Sequence, residues 1–253
     1  MKYTRGDTVV GFEKLWFLQR RHAARYASID ADRESNAYLT TPSPSHSLIE
    51  LAVKPIIALL DQPSTSSDYS FYHTMIHKHI REYFVTAVVN ADAQNYTNPS
   101  EFIQRNIYFF DRPSTEALSV TIPSLELHKL PSSYSNTVSP DTIIGLAGLL
   151  LSIPDEAWCL NALKGVLYRE AISRGLKMTL GESVEQSLDE AEVLKVEKSW
   201  TKLMHQYLRW ALVASKPGPD GVETMRILGR EETGRRLATA EEALKGLKNE
   251  SID

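Results

Sequence analysis

Few stretches of this chain carry residue types whose spacing could support chemistry, and each falls short where the chemistry is most demanding. The run His73-Thr74-Met75-Ile76-His77-Lys78-His79 sets His73 and His77 at the i, i+4 spacing with which one helical face can hold zinc. It lacks the glutamate that follows the first histidine of a metalloprotease helix, and Lys78 and Arg81 raise the local positive potential. Solvated or partly packed histidines are expected there, and no metal. Gly6-Asp7-Thr8-Val9-Val10-Gly11 spaces its two glycines as a phosphate loop does, but Phe12-Glu13 stands where Lys-Ser/Thr would hold phosphate and magnesium. Asp189-Glu190 and Glu231-Glu232 are adjacent carboxylates, which on helices point apart and cannot face one substrate. Neither a G-x-S-x-G elbow nor an H-E-x-x-H run occurs. The expectation is a chain with no catalytic residue, no metal site and no cofactor of its own.

Binding is the better-supplied chemistry. The formal net charge is −4, which does not announce a partner made of phosphates, yet the cations are uneven. Lys14, Arg20, Arg21 and Arg25 gather early, Arg226, Arg230, Arg235 and Arg236 gather late, and acids crowd residues 182–192. On a helix Arg21 and Arg25 share a face with Lys14 two turns before, and Arg226 shares one with Arg230. Spacing alone fits a solvated face as well as a phosphate-binding ladder. Lys216 sits on the rigid turn Lys216-Pro217-Gly218-Pro219, where an ammonium can meet a phosphate without ordering cost. Arg209, between Leu208 and Trp210, is expected to anchor turn carbonyls or a buried acid instead. Tyr108, Phe109, Phe110, Trp158, Trp200 and Trp210 could stack on unpaired bases, but their helical spacing assigns most of them to the core.

The elements that must position these residues are helical. Phe12, Leu15, Trp16, Gln19, Ala23 and Tyr26 predict a helix over 11–28. Pro44 at a first helical position predicts a second running to Leu60 and bent at Pro55. Asp68 caps a predicted long helix through Asn90, and Asn98-Pro99 starts another over 101–110. Val120 and Ile122 alternate with polar residues, which allows one short strand but no sheet. Beyond the proline-rich boundary at 131–140, Ser139-Pro140 starts a helix, Glu156 to Arg174 forms the next, and Gly175 is expected to close it. Residues 200–213 form the Arg209 helix, and Thr239 with Glu242 reads as a capping box for a last one.

Composition agrees with a soluble globule: 42% hydrophobic and 24% charged residues. The single cysteine, Cys159, excludes an internal disulfide and is expected to be a buried, inert thiol in a reducing compartment. The best apolar run, 143–151, is about half the roughly 20 residues that span a bilayer, so no membrane segment is expected. Residues 1–19 read neither as a secretory signal nor as a transit peptide, since Asp7 and Glu13 interrupt them.

Residues 208–237, LRWALVASKPGPDGVETMRILGREETGRRL, run as a helix, a rigid turn, a short helix, a Leu228-Gly229 break and a charged turn that closes on the basic end Arg235-Arg236-Leu237. That order resembles the C-terminus of bacterial-type and organellar glutamyl-tRNA synthetases, with its L-R-x-A-L-T-G, Gly-Pro turn and L-L-G-x-E-x-x-x-R-L. Phe12-Glu13-Lys14-Leu15-Trp16-Phe17-Leu18-Gln19 resembles the family's D-x-x-K-L-x-W-x-N helix. Arg105 to Phe110 resembles its Tyr-Phe-Phe segment, and Trp158 to Leu176 its W-x-x-x-x-I-x-x-x-L helix ending at Gly-Leu-Lys. The His-Ile-Gly-His and Lys-Met-Ser-Lys-Ser signatures that handle ATP in that family are absent. Val213-Ala214-Ser215 stands where the family has Thr-Gly, and the acidic segment 182–192 and the proline loops near Pro42 and Pro63 are additions.

The resemblance implies an all-α protein of two packed helical subdomains, like the anticodon-binding helical cage. Its expected division is 1–30, a helix following the catalytic and stem-contact region; 31–139, a first anticodon-binding subdomain; and 140–253, a second. It implies a glutamate-accepting tRNA as partner, with Lys14, Arg21 and Arg25 at the acceptor-proximal end and Lys216, Arg226 and Arg230 at the anticodon end. ATP and magnesium would belong to a catalytic half that this chain lacks, whether upstream or separate, so the chain alone is expected to be inactive as a glutamate–tRNA ligase. A mitochondrial matrix location is implied, or otherwise a cytoplasmic one. The competing reading is a helical protein-interaction scaffold that has lost RNA binding.

Overall fold

The computed structural model describes residues 52–62, 69–92, 98–128, 130, 134–181 and 190–250. The predicted helix over 11–28 and the cations Lys14, Arg21 and Arg25 lie outside these. Every described element is helical, and the single β contact among the described residues is an isolated bridge between Glu126 and Thr137. The fold is all-α, as the periodicity requires. Contacts divide the chain after Asp111 into two compact units.

In the unit up to Asp111, α1 (Lys54–Leu60) carries Pro55 in its first turn, where the missing N–H has no helical partner to lose. Helical residues 52–53 precede it, and the rest of the predicted helix, from Pro44 to residue 51, lies outside the described residues. The predicted helix through Asn90 is two pieces, α2 (Ser70–His73) and α3 (Lys78–Asp92), with a break at residues 74–77. The break ends the regular i, i+4 relation between His73 and His77, and His77 instead stacks on His79 at 5.5 Å between ring centroids. Arg81 holds this region, with Nε donating to the Met75 carbonyl at 2.6 Å and Nη1 to Asp61 at 2.9 Å.

Asn98 caps α4 (Pro99–Arg105) by accepting the Glu101 N–H at 2.9 Å. Asn106 then interrupts the predicted helix before α5 (Ile107–Phe110). Its side chain is buried but satisfied, donating to the Phe102 carbonyl and accepting from the Tyr108 hydroxyl. Tyr108, Phe109 and Phe110 are all buried; Phe109 packs edge-on with Phe84, and Phe110 edge-on with Phe84 and Tyr72. Such T-shaped pairs add about 0.5–1.5 kcal/mol beyond the area they bury.

In the second unit, Ser114 caps α6 (Thr115–Val120). Val120 ends that helix, 86% exposed, in place of the predicted strand. Ser139 caps α7 (Pro140–Gly148) by accepting the Thr142 N–H at 3.1 Å, as its position before proline predicts. A 3₁₀ turn at Asp155–Ala157 precedes α8 (Leu160–Val166), which passes through a π-helical stretch (Leu167–Ile172) into α9 (Ser173–Leu180). Two expectations fail here. Cys159 is exposed at the extended residue before α8, not buried within a helix. Gly175 does not end a helix but lies inside α9, buried against Trp200, and the stop comes at Gly181 with φ 78°.

The long helix α10 (Glu190–Val213) buries one face, including Val196, Trp200, Leu203, Met204, Tyr207, Leu208 and Trp210. Interior bonds fix its rotation. The Trp200 indole donates to the Thr179 hydroxyl, the Trp210 indole to the Leu118 carbonyl at 3.0 Å, and the Ser199 hydroxyl to the His128 carbonyl. A turn at residues 214–220 leads into α11 (Gly221–Glu250), which Gly229 breaks at φ 78°, ψ 168°. The break falls where the Leu228-Gly229 pattern places it. Beyond it the chain is continuously helical, so 235–237 is not a turn. Thr239 is no cap either: its hydroxyl donates back to the Arg235 carbonyl at 3.1 Å within the helix.

Candidate nucleic-acid interface

A phosphate backbone is met by cations that stay in water, carry no partner acid and repeat along a rigid element. Helical geometry, about 100° per residue, places Lys195, Lys198, Lys202, His205 and Arg209 of α10 within a sector of about 80°. They extend over roughly 21 Å of helix axis at 1.5 Å per residue. All three lysines are exposed, and none makes a salt bridge to a described residue. The glutamates of this helix, Glu190, Glu192 and Glu197, fall outside that sector. The opposite face is the buried one, and the three lysines look to solvent while His205 and Arg209 are half-buried.

At the C-terminal end of the stripe, half-buried Arg209 reaches over the following turn. Its guanidinium lies 3.5 Å from the carbonyl oxygens of Lys216, Gly218 and Pro219. These are long contacts, each weak, but together they anchor the turn as its sequence context predicts. The turn carries Lys216, which is exposed. The turn starts with Ala214 at φ 48° and Ser215 at φ 62°, both in the left-handed region that glycine takes most easily. The Ala214 N–H closes on the Trp210 carbonyl at 2.8 Å and the Ser215 N–H on the Arg209 carbonyl at 3.4 Å, so the last helical carbonyls are satisfied by the turn.

Alongside the stripe stands Tyr168, whose hydroxyl is 3.1 Å from His205 Nε2. Burial lowers the His205 pKa from its ordinary value; Asp220 opposes that shift and Arg209 adds to it.

The late cations predicted from sequence separate into different environments. Arg226 is held by Glu223, one turn before it, in a bidentate pair at 2.6–3.2 Å. Arg230, 42% exposed, donates through Nε to the Leu151 carbonyl at 3.0 Å and comes within 4.0 Å of Asp155. Arg235 is exposed and paired with Glu231. Arg236 is not part of any surface: 2% exposed, it bonds Glu232 at 2.9 Å and the Leu212 carbonyl at 2.7 Å. Glu232 also accepts from Arg112 at 2.8–3.1 Å, so one buried carboxylate serves two guanidinium groups.

Of the aromatics considered for stacking, Tyr108, Phe109, Phe110, Trp200 and Trp210 are buried. Trp158 is half-buried, its indole donating to the Met225 carbonyl at 3.0 Å. Among the described residues no cluster of three or more His, Cys, Asp or Glu is placed to hold a metal, and no helix is long and apolar enough to cross a membrane. The α10 stripe was in the sequence all along, at spacings of three, four, three and four residues, but counting neighbours in line sets those lysines among Glu190, Glu192 and Glu197.

Residues 183–241 match the family model described as an anticodon binding domain. The match supports an anticodon-binding region. It takes in the α10 stripe, the Lys216 turn and the Gly229 break. No curated protein and no solved structure matches the chain.

Proposed function

We propose that this chain binds the anticodon arm of a tRNA, with phosphates running along the solvent face of α10. The observation that carries this reading is the acid-free row of Lys195, Lys198, Lys202 and Arg209 within the segment matched to an anticodon binding domain. The finer reading is the anticodon-binding part of a glutamyl-tRNA synthetase, with glutamate-accepting tRNA as partner and a mitochondrial setting. Its support is the resemblance over 208–237, whose helix, turn, short helix and glycine break all recur in the fold. On that reading ATP-dependent glutamylation of the tRNA belongs to a catalytic half, and this chain positions the substrate.

Lys216 extends the α10 row, while Arg226 and Arg230 form a second point of contact once Arg226 exchanges Glu223 for phosphate. Lys14, Arg21 and Arg25 are proposed for the acceptor-proximal end. The experiment is tRNA binding by fluorescence anisotropy across a salt series, with Lys195→Ala, Lys198→Ala and Lys202→Ala singly and together. Each loss should weaken all tRNAs alike and reduce the salt slope by about one unit. A chain that binds no tRNA, or binds it with a slope that the triple variant leaves unchanged, would overturn the reading in favour of a protein-interaction scaffold. Comparison of glutamate tRNA with other tRNAs tests the finer identity separately.

A further inference from the structure

Phosphate contacts hold an RNA in register but read nothing, so a loop-binding surface needs a flat apolar face on which an unstacked base can lie. Trp200, Tyr207 and Trp210 offer none, because all are within 2% of complete burial. Among the described residues of the second unit, the one exposed Phe, Tyr or Trp side chain is Tyr168, at 43%. It stands within the π-helical stretch Leu167–Ile172, a local widening that re-aims side chains and recurs at binding sites.

Tyr168 is also held. Its hydroxyl bonds His205, and His205 lies on the stripe between Lys202 and Arg209. The two rings are tilted by 55° with centroids 6.2 Å apart, so the imidazole holds the phenol by its hydroxyl and does not stack on its face. A tyrosine already fixed by its tip loses little side-chain freedom when a base stacks on it.

We infer that Tyr168, fixed by His205, is the stacking platform for one unpaired base of an RNA loop whose phosphates lie on Lys198, Lys202 and Arg209. This rests on the RNA-binding reading above and adds the point where a single-stranded nucleotide is distinguished from duplex. His205 is a positioning residue here and Tyr168 the contact.

The test uses the full chain with a hairpin RNA carrying a seven-nucleotide loop, 2-aminopurine being placed at each loop position in turn, and with a loop-free duplex of the same stem. Stacking on Tyr168 quenches one position in the wild type. Tyr168→Ala should abolish that quench and weaken hairpin binding by about 5- to 160-fold, the range known for loss of one base–aromatic stack, with the salt slope unchanged. Tyr168→Phe should keep most of the affinity, and duplex binding should not respond to either change. Lys198→Ala/Lys202→Ala should lower the slope for both RNAs. If Tyr168→Ala, folded by circular dichroism, binds the hairpin within twofold of wild type while the lysine variant weakens it, the platform is wrong and RNA binding stands. If the lysine variant is also silent, or the wild type binds neither RNA, both readings fall.

Discussion

The Trp200 indole lies so close over Gly175 that a β-carbon on this glycine would sit 2.5 Å from the ring. Neither side can yield easily. The indole N–H is held by Thr179, and Gly175 is inside a helix whose backbone cannot retreat without shifting α9. Gly175→Ala should therefore destabilise the second unit by about 1–3 kcal/mol through overpacking, despite the better helix propensity of alanine. Urea unfolding checks it; an unchanged or raised midpoint would show that the two helices separate freely.

Glu232, 4% exposed, compensates buried Arg236 and half-buried Arg112. Glu232→Gln should cost about 3–5 kcal/mol, because it removes the carboxylate charge that faces buried Arg236 in the interior. Replacing the pair together, Glu232→Leu with Arg236→Met, should cost much less than the single change. A double-mutant cycle by thermal unfolding gives the answer, and additive losses would count against a coupled pair.

Backbone conformation predicts two glycine substitutions of opposite sign. Gly229 stands at φ 78°, ψ 168°, a region almost closed to other residues, so Gly229→Ala should destabilise by about 1–3 kcal/mol although the space around it is open. Ser215 stands at φ 62°, and Ser215→Gly should stabilise by about 1 kcal/mol. Calorimetry on both variants decides, and equal signs would contradict the argument.

His205 gives a pH dependence of definite sign. Its folded pKa is depressed by burial, so as pH falls below the ordinary histidine value of 6.5 the unfolded chain takes up a proton first. Stability should fall with pH through the window between 6.5 and the lower folded value, then level off. His205→Gln should flatten that part of the profile relative to wild type. A wild-type and variant difference that stays constant from pH 8 to 5 would dismiss the effect.

Local signals were legible wherever a cap or a break is decided by neighbours. Asn98-Pro99 and Ser139-Pro140 start helices, Leu228-Gly229 stops one, and Arg209 finds turn carbonyls as its apolar flanks required. Where a distant partner decides, the sequence was ambiguous. A glycine ending a helix and a glycine under an indole look alike until Trp200 is known to be there. Thr239 with Glu242 has the spacing of a cap and the setting of a helix interior. Arg235 and Arg236 are adjacent in line but about 100° apart on a helix, and so one is exposed while the other is buried. Contacts divide the chain after Asp111, and which helices touch is not written in any local signal.

Because Ser199, Trp210 and the Leu212 carbonyl pin α10 from within, the helix cannot roll, and the separations between its outward lysines are those of the helical rise. The inner half of this one element is committed to folding, and its three outward lysines form no salt bridge to a described residue. Selection can therefore add or remove a positive charge at residue 195, 198 or 202, adjusting grip on a partner by single steps, while melting behaviour drifts hardly at all.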